Sequence, residues 1–147
     1  MEVSSCELYL FMRNIYDYEE GLYDKIKGYI NYKFKNKEEL EKTVNIWCGN
    51  REIGMKLYGH ISLWNTSMIT DMSYLFNFQY FFNDNINDWD VSNVKNMSLM
   101  FSESDSFNQP LDKWDVSKVN SMDRMFVCCG EFNQDISSWL VASVVNM

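Results

Sequence analysis

Residues Phe82 to Phe101 read Phe-Asn-Asp-Asn-Ile-Asn-Asp-Trp-Asp-Val-Ser-Asn-Val-Lys-Asn-Met-Ser-Leu-Met-Phe, and this pattern returns at a step of 25 residues on either side. Trp64, Trp89, Trp114 and Trp139 keep that step, as do Met72, Met97, Met122 and Met147, and Phe76, Phe101 and Phe126. Ile61, Ile86, Leu111 and Ile136 follow, and Phe82-Asn83, Phe107-Asn108 and Phe132-Asn133 open successive units. Several residue types in one register exclude chance. A period of this length marks a repeat architecture, in which each unit buries its apolar face only by stacking on its neighbours. The units run 57–81 (divergent at its start), 82–106, 107–131 and a partial 132–147.

Within a unit, Trp89 and Val91 alternate with Asp88 and Asp90, which is the period of a half-buried strand. Val94, Met97, Met100 and Phe101 then recur at steps of three and four, the period of a short helix with one apolar face. Ser67, Ser92 and Ser117 stand where such a helix would start, without the acidic partner of a full capping box. The expected fold is therefore an α/β repeat solenoid of leucine-rich-repeat-like coils, one short strand plus one short helix each. Its core would be the tryptophans, Met72, Met97, Met122, Phe76, Phe101 and Phe126.

The phrase FNxxIxxWDVSxVxxMxxMF, best shown by Phe82 to Phe101, resembles the BspA-like surface-protein repeats, a variant class of leucine-rich repeat. The resemblance covers residues 57–147, and the lead-in from about Asn36 resembles segments that precede such arrays. Asn65-Thr66 replaces the Asp-Val after Trp64, and Leu140 replaces the Asp after Trp139. Members occur in bacterial surface proteins, protists and large DNA viruses. The resemblance implies binding rather than catalysis, and an intracellular or large-DNA-virus type.

Residues 1–56 read as a helical N-terminal cap on the 57–147 array. Leu8, Phe11, Met12 and Ile15 share one helical face, and Leu22, Ile26 and Ile30 a second. Asn36 with Glu39 three residues on is an N-cap signal, followed by Leu40, Val44, Trp47 and Cys48 on one side. Gly49-Asn50 is a stop, and Ile53 with Leu57 makes a last short helix. An array needs an end cover with one apolar and one polar face.

Charge narrows the function. The chain carries 13 basic and 21 acidic side chains, a net charge of −8. Residues 57–147 hold 4 of the basic and 11 of the acidic groups, so nucleic acid, with its phosphate backbone, is not an expected partner. No apolar run reaches the roughly 18 residues of a membrane span, so no membrane partner is expected. The start shows no basic region followed by an apolar leader, which predicts an intracellular, cytoplasmic protein (in the host cell if viral) that is not secreted by a signal peptide.

Candidate chemistry is sparse. His60 is the only histidine and sits at the boundary of cap and array, with no catalytic constellation around it. The oxygen-rich run Asn83 to Asp90 lacks the glycine of an EF-hand loop, so it reads as a polar turn and no metal or cofactor is expected. Asn83, Asn108 and Asn133 would stack as a ladder satisfying buried backbone between coils. Cys6, Cys48 and the adjacent Cys128-Cys129 have neither disulfide-framework nor zinc spacing and read as reduced, packed thiols. Asn65-Thr66-Ser67 and Asn96-Met97-Ser98 match a glycosylation pattern that has no use inside a cell.

The expected function is a non-enzymatic protein–protein interaction module whose acidic strand face presents Asp88, Asp90, Lys113 and Asp115 to an unidentified protein partner. The alternative is a structural or assembly component, such as a viral particle protein. Met147 falls at the unit's Met position with no closing Phe after it. Phe132, Ile136, Trp139, Val141, Val144 and Met147 would thus line an open end coil, predicting fraying or weak homo-association there.

Overall fold

The computed structural model describes residues 32–147. The helical faces expected at Leu8–Ile15 and Leu22–Ile30 lie outside them. Helix α1 spans Lys37–Gly49, and its first turn is closed by side chains on both sides. Asn36 Oδ1 accepts from the Glu39 amide (2.9 Å), while the Glu39 carboxylate accepts from the Lys35 amide (2.9 Å) and the Tyr32 hydroxyl (2.7 Å). Leu40, Thr43, Val44 and Trp47 form its buried face. Asn50 ends α1 and opens α2 (Arg51–Tyr58), its side chain accepting from Ile53. The two helices cross closely at Gly54, where an added Cβ would lie 3.0 Å from Trp47 Cα. His60 caps the short 3-10 turn Ile61–Leu63 that leads into the repeats.

The repeats do stack, but not as strand plus helix. Among the described residues the helical elements are α1, α2 and the 3-10 turn, and the only strand-type pairings are isolated parallel bridges. Three of these join equivalent residues of successive units: Asp71 to Asn96, Asn96 to Ser121, and Ser121 to Asn146. The expected solenoid of leucine-rich-repeat-like strand-and-helix coils is thereby overturned, and the backbone angles show why. Tyr74, Leu99 and Arg124 have φ of 65°, 57° and 51°, and Phe78, Glu103 and Cys128 have φ of 62°, 61° and 57°. A left-handed residue at every fourth position forbids an α-helix.

What replaces the helix is a pair of tandem four-residue turns. Leu75 donates to the Met72 carbonyl (3.3 Å) and Gln79 to that of Phe76 (3.0 Å), with the positive φ at the third residue, as a type II turn requires. Successive turns of four give the same three- and four-residue apolar spacing as a helix. The left-handed twist then turns alternate amides out of the coil and onto the next. Met72, Tyr74, Phe76 and Phe78 donate to the carbonyls of Asn96, Ser98, Met100 and Ser102 at 2.8–3.0 Å. Met97, Leu99, Phe101 and Glu103 do the same to Ser121, Asp123, Met125 and Val127.

The expected strand around Trp89 is cut short in a similar way. Trp89 and Val91 are buried and Asp90 exposed, but Ser92 donates to Asp90 Oδ1 (3.0 Å) and Val94 to the Val91 carbonyl (2.9 Å), so the chain turns at once. Asn65, Asp71, Asn85, Asn96, Asp115 and Asp135 close equivalent turns onto the amide two residues on. Asn65 therefore does the work of the Asp it replaces. Thr66, in the place of Val91, is fully buried and its hydroxyl donates to the Asp90 carbonyl (2.9 Å).

One apolar cluster runs from Phe34 to Trp139. Phe76, Phe101 and Phe126 stack at 5.4 and 5.6 Å, and Phe82, Phe107 and Phe132 at 5.7 and 5.9 Å. Met72, Met97 and Met122 are buried with them. Trp64 stacks on Trp89 (6.1 Å) and Trp114 on Trp139 (6.3 Å). Each later indole also donates to the carbonyl 28 residues earlier: Trp89 to Ile61, Trp114 to Ile86, and Trp139 to Leu111. The helix pair and the segment before it cover the first unit through Phe34, Trp47 of α1 and Tyr58 of α2, all in ring contact with Trp64.

Candidate functional site

The four residues expected to form the presented face are all exposed, at equivalent positions of two successive units, on a ridge of turns rather than strands. Lys113 Nζ pairs with Asp88 Oδ1 of the unit before it at 2.9 Å. Asp90 and Asp115 each hold a serine turn, and the hydroxyl and amide of Ser117 keep the Asp115 carboxyl below the usual range. These side chains thus serve the stack as well as facing solvent.

The oxygen-rich run from Asn83 to Asp90 is likewise committed internally. Asn83 Oδ1 accepts from the Asn108 amide and Asn108 Oδ1 from that of Asn133, both at 3.0 Å, which makes the asparagine ladder, on an exposed rim. Asn87 donates to Asp112 (2.9 Å) and accepts from the Lys113 amide (3.1 Å). Among the described residues, no group of three or more His, Cys, Asp or Glu side chains is placed to hold a metal ion.

Asp84 has a different use, which the sequence does not announce. Its side chain is only 13% exposed and its Oδ2 accepts from Trp47 Nε1 (2.8 Å) and Arg51 (2.7 Å). The Arg51 guanidinium in turn sits 5.6 Å from the Trp47 ring centroid. This knot bolts the helix pair to the second unit and floors a groove of about 350 Å3. Its lining residues are Trp47, Cys48, Arg51 and Asp84 together with the run Phe78 to Phe82. Burial, then the charge of Asp84, pushes the Cys48 thiol up to about 12, so it is a protonated wall atom at neutral pH.

The rim of that groove is aromatic and open. Phe78 and Tyr80 are about half exposed and Phe81 is 90% exposed. The equivalent positions in the next unit are Glu103, Asp105 and Ser106, and in the third Cys128, Gly130 and Glu131. The signal was the aromatic tail Phe78-Gln79-Tyr80-Phe81 of the first unit, where the other units are polar.

The remaining thiols divide by position. Cys129 takes the place of Ser104 and, like that hydroxyl, donates to a carbonyl one coil back, that of Phe101. Burial pushes it up to about 11. Cys128 is exposed, with a positive φ, so the packed reading fits Cys129 and not its neighbour. Cys6 lies outside the described residues. His60 accepts from the Ser62 amide and meets Trp47 edge-on at 5.2 Å, at the junction of helices and repeats.

A family model described as "Mycoplasma protein of unknown function, DUF285" matches residues 30–147, the whole of the stack and both helices. The chain belongs to the DUF285 family. No curated protein and no solved structure matches the chain. No helix among the described residues is long and apolar enough to cross a membrane.

Proposed function

We propose that this DUF285 chain is a non-enzymatic protein-interaction module, with the stacked units as a rigid frame and the aromatic edge Phe78, Tyr80 and Phe81 as its docking surface. The observation that carries the reading is the solvent exposure of three neighbouring aromatic rings beside a ready-made groove. Exposed contiguous aromatics on a soluble frame mark interaction sites, because Tyr and Phe bury large area at little conformational entropy. The BspA-like resemblance of the repeat unit supports a binding role. The acidic ridge of Asp88, Asp90, Lys113 and Asp115 is a weaker docking candidate, since its side chains are already bonded within the stack.

The test compares immobilised wild-type chain with a Phe78→Ser/Tyr80→Ser/Phe81→Ser variant in extracts of the native host. A partner retained by the wild type and lost by the variant, at equal thermal stability, supports the module. Identical protein profiles on both would refute this edge as the docking surface.

A further inference from the structure

We propose that the aromatic edge docks a basic polypeptide segment of its partner, Lys or Arg interleaved with aliphatic residues, an inference that rests on the interaction-module reading. The groove of about 350 Å3 is at the small end of binding pockets (roughly 300–1,000 Å3) and has room for one or two side chains. The single cation among its lining residues, Arg51, is already neutralised by Asp84 at 2.7 Å.

From the groove the edge continues along the stack in one sign of charge. The Phe78 amide donates to the Ser102 carbonyl and the Ser106 amide to the Tyr80 carbonyl, which sets Glu103 and Asp105 on the coil adjoining Phe78 and Tyr80. The Glu131 amide donates to the Asp105 carbonyl at 3.0 Å, bringing a third carboxylate into line. Asp105 is held in place by the Gly130 amide (3.2 Å), and a Cβ at Gly130 would come within 2.5 Å of its Oδ1. No Lys or Arg occurs between Asn96 and Asp112 or between Met125 and Met147.

Two attractions therefore coincide. Ring faces attract ammonium and guanidinium groups, and three carboxylates one and two coils away set a negative potential over the same edge. Phosphate backbones and anionic bilayers are repelled by that field. An aliphatic side chain entering the groove between two cations uses both features at once.

The test uses the full chain and a short fluorescein-labelled peptide alternating Lys and Leu, with a Glu–Leu counterpart, followed by anisotropy. Saturable binding of the Lys–Leu peptide that weakens with added salt is expected. Tyr80→Ser/Phe81→Ser should lower its affinity about tenfold or more. Glu103→Gln/Asp105→Asn should lower it as well, whereas Asp90→Asn/Asp115→Asn on the other ridge should not. Equal affinity for wild type and the aromatic-edge variant, no saturable binding, or preference for the Glu–Leu peptide overturns the proposal. If the peptide fails while a native partner is still lost from the edge variant, the basic chemistry is wrong and the module stands. If partner capture is also indifferent to the edge, the module reading at this surface falls with it.

Discussion

At Arg124 the difference between a turn-built coil and a helix becomes a sign. The residue is exposed with φ of 51°, at the third position of the turn from Met122 to Met125. A non-glycine residue in the left-handed region is disfavoured by about 1–2 kcal/mol, and glycine escapes that term. Against this, glycine loses about 0.5–1 kcal/mol more than alanine through its freer unfolded chain. Arg124→Gly should therefore exceed Arg124→Ala in stability by about 0.5–1 kcal/mol. Comparing the two variants with each other cancels the loss of the arginine side chain. In a helix the order reverses, with glycine worse than alanine by roughly 1 kcal/mol. Lys42, exposed in the middle of α1, supplies the internal control, and there Lys42→Ala should be the more stable. Urea melts resolve gaps of this size, and thermal melts should show a difference of about 3 °C per kcal/mol. Arg124→Ala more stable than Arg124→Gly, with the same order at Lys42, would refute the turn-built coil.

Trp89, 3% exposed and bonded to the Ile61 carbonyl, should lose about 3–5 kcal/mol on change to Ala, and Trp139, at 9% exposed, less; denaturant melts of the two variants give the comparison. Asn77 Oδ1 is buried without a hydrogen-bond partner, so Asn77→Val, the residue that stands there as Val127, should hold or raise stability by up to about 1 kcal/mol, and a loss larger than that in urea would show an unrecognised role. Burial raises the Asp71 carboxyl, but the bonds from Ser73 and Lys37 outweigh it and hold it below the ordinary value. Its stabilising contribution is thus complete above the unfolded value near pH 4 and lost as pH falls through the lower folded value. Thermal melts from pH 5 downward should show a smaller acid loss for Asp71→Asn than for wild type. Glu103 raises the Cys128 thiol, but Cys128 is exposed, while burial pushes Cys48 and Cys129 up to about 12 and about 11, so in native protein iodoacetamide should modify Cys128 before both; peptide mass mapping reads the order.

The repeat register was legible because it is written in large apolar residues, and the Trp, Met and Phe positions that carry the step of 25 are found buried or packed on the core, except Met147, which is exposed. The Asn36 cap and the asparagine ladder were legible for another reason: a short polar side chain next to its own backbone has few other uses. The local geometry of each unit was not. Spacing of three and four residues is shared by a helix and by consecutive four-residue turns. Glycine would normally betray the left-handed positions, but here they carry Tyr74, Phe78, Leu99, Glu103, Arg124 and Cys128. Nothing local distinguishes them, because inter-coil hydrogen bonds impose the conformation from outside. Asp84 escaped notice for a similar reason, since Trp47 and Arg51 reach it across 37 and 33 residues of chain.

That division between frame and surface explains how a repeat with a fixed core can carry a unit-specific docking edge. Cohesion between units comes mainly from backbone amides, buried rings and asparagine or aspartate turns, to which the side chains at the last left-handed position of each coil add one contact, between Cys128 and Glu103. Phe78, Glu103 and Cys128 occupy that position with one backbone shape, and Tyr80, Asp105 and Gly130 follow two residues later. A change of side chain on this edge leaves the hydrogen bonds of the stack in place, as the shared geometry of three chemically unlike residues demonstrates. Within the aromatic-to-acidic gradient, Glu103 accepts a hydrogen bond from the Cys128 thiol of the next coil, and at Asp105 with Gly130 the close approach fixes both residues. Gly130→Ala should accordingly disturb the edge locally while Phe81→Ser leaves the melt unchanged. A thermal melt lowered by Phe81→Ser as much as by Gly130→Ala would show that the edge belongs to the frame after all.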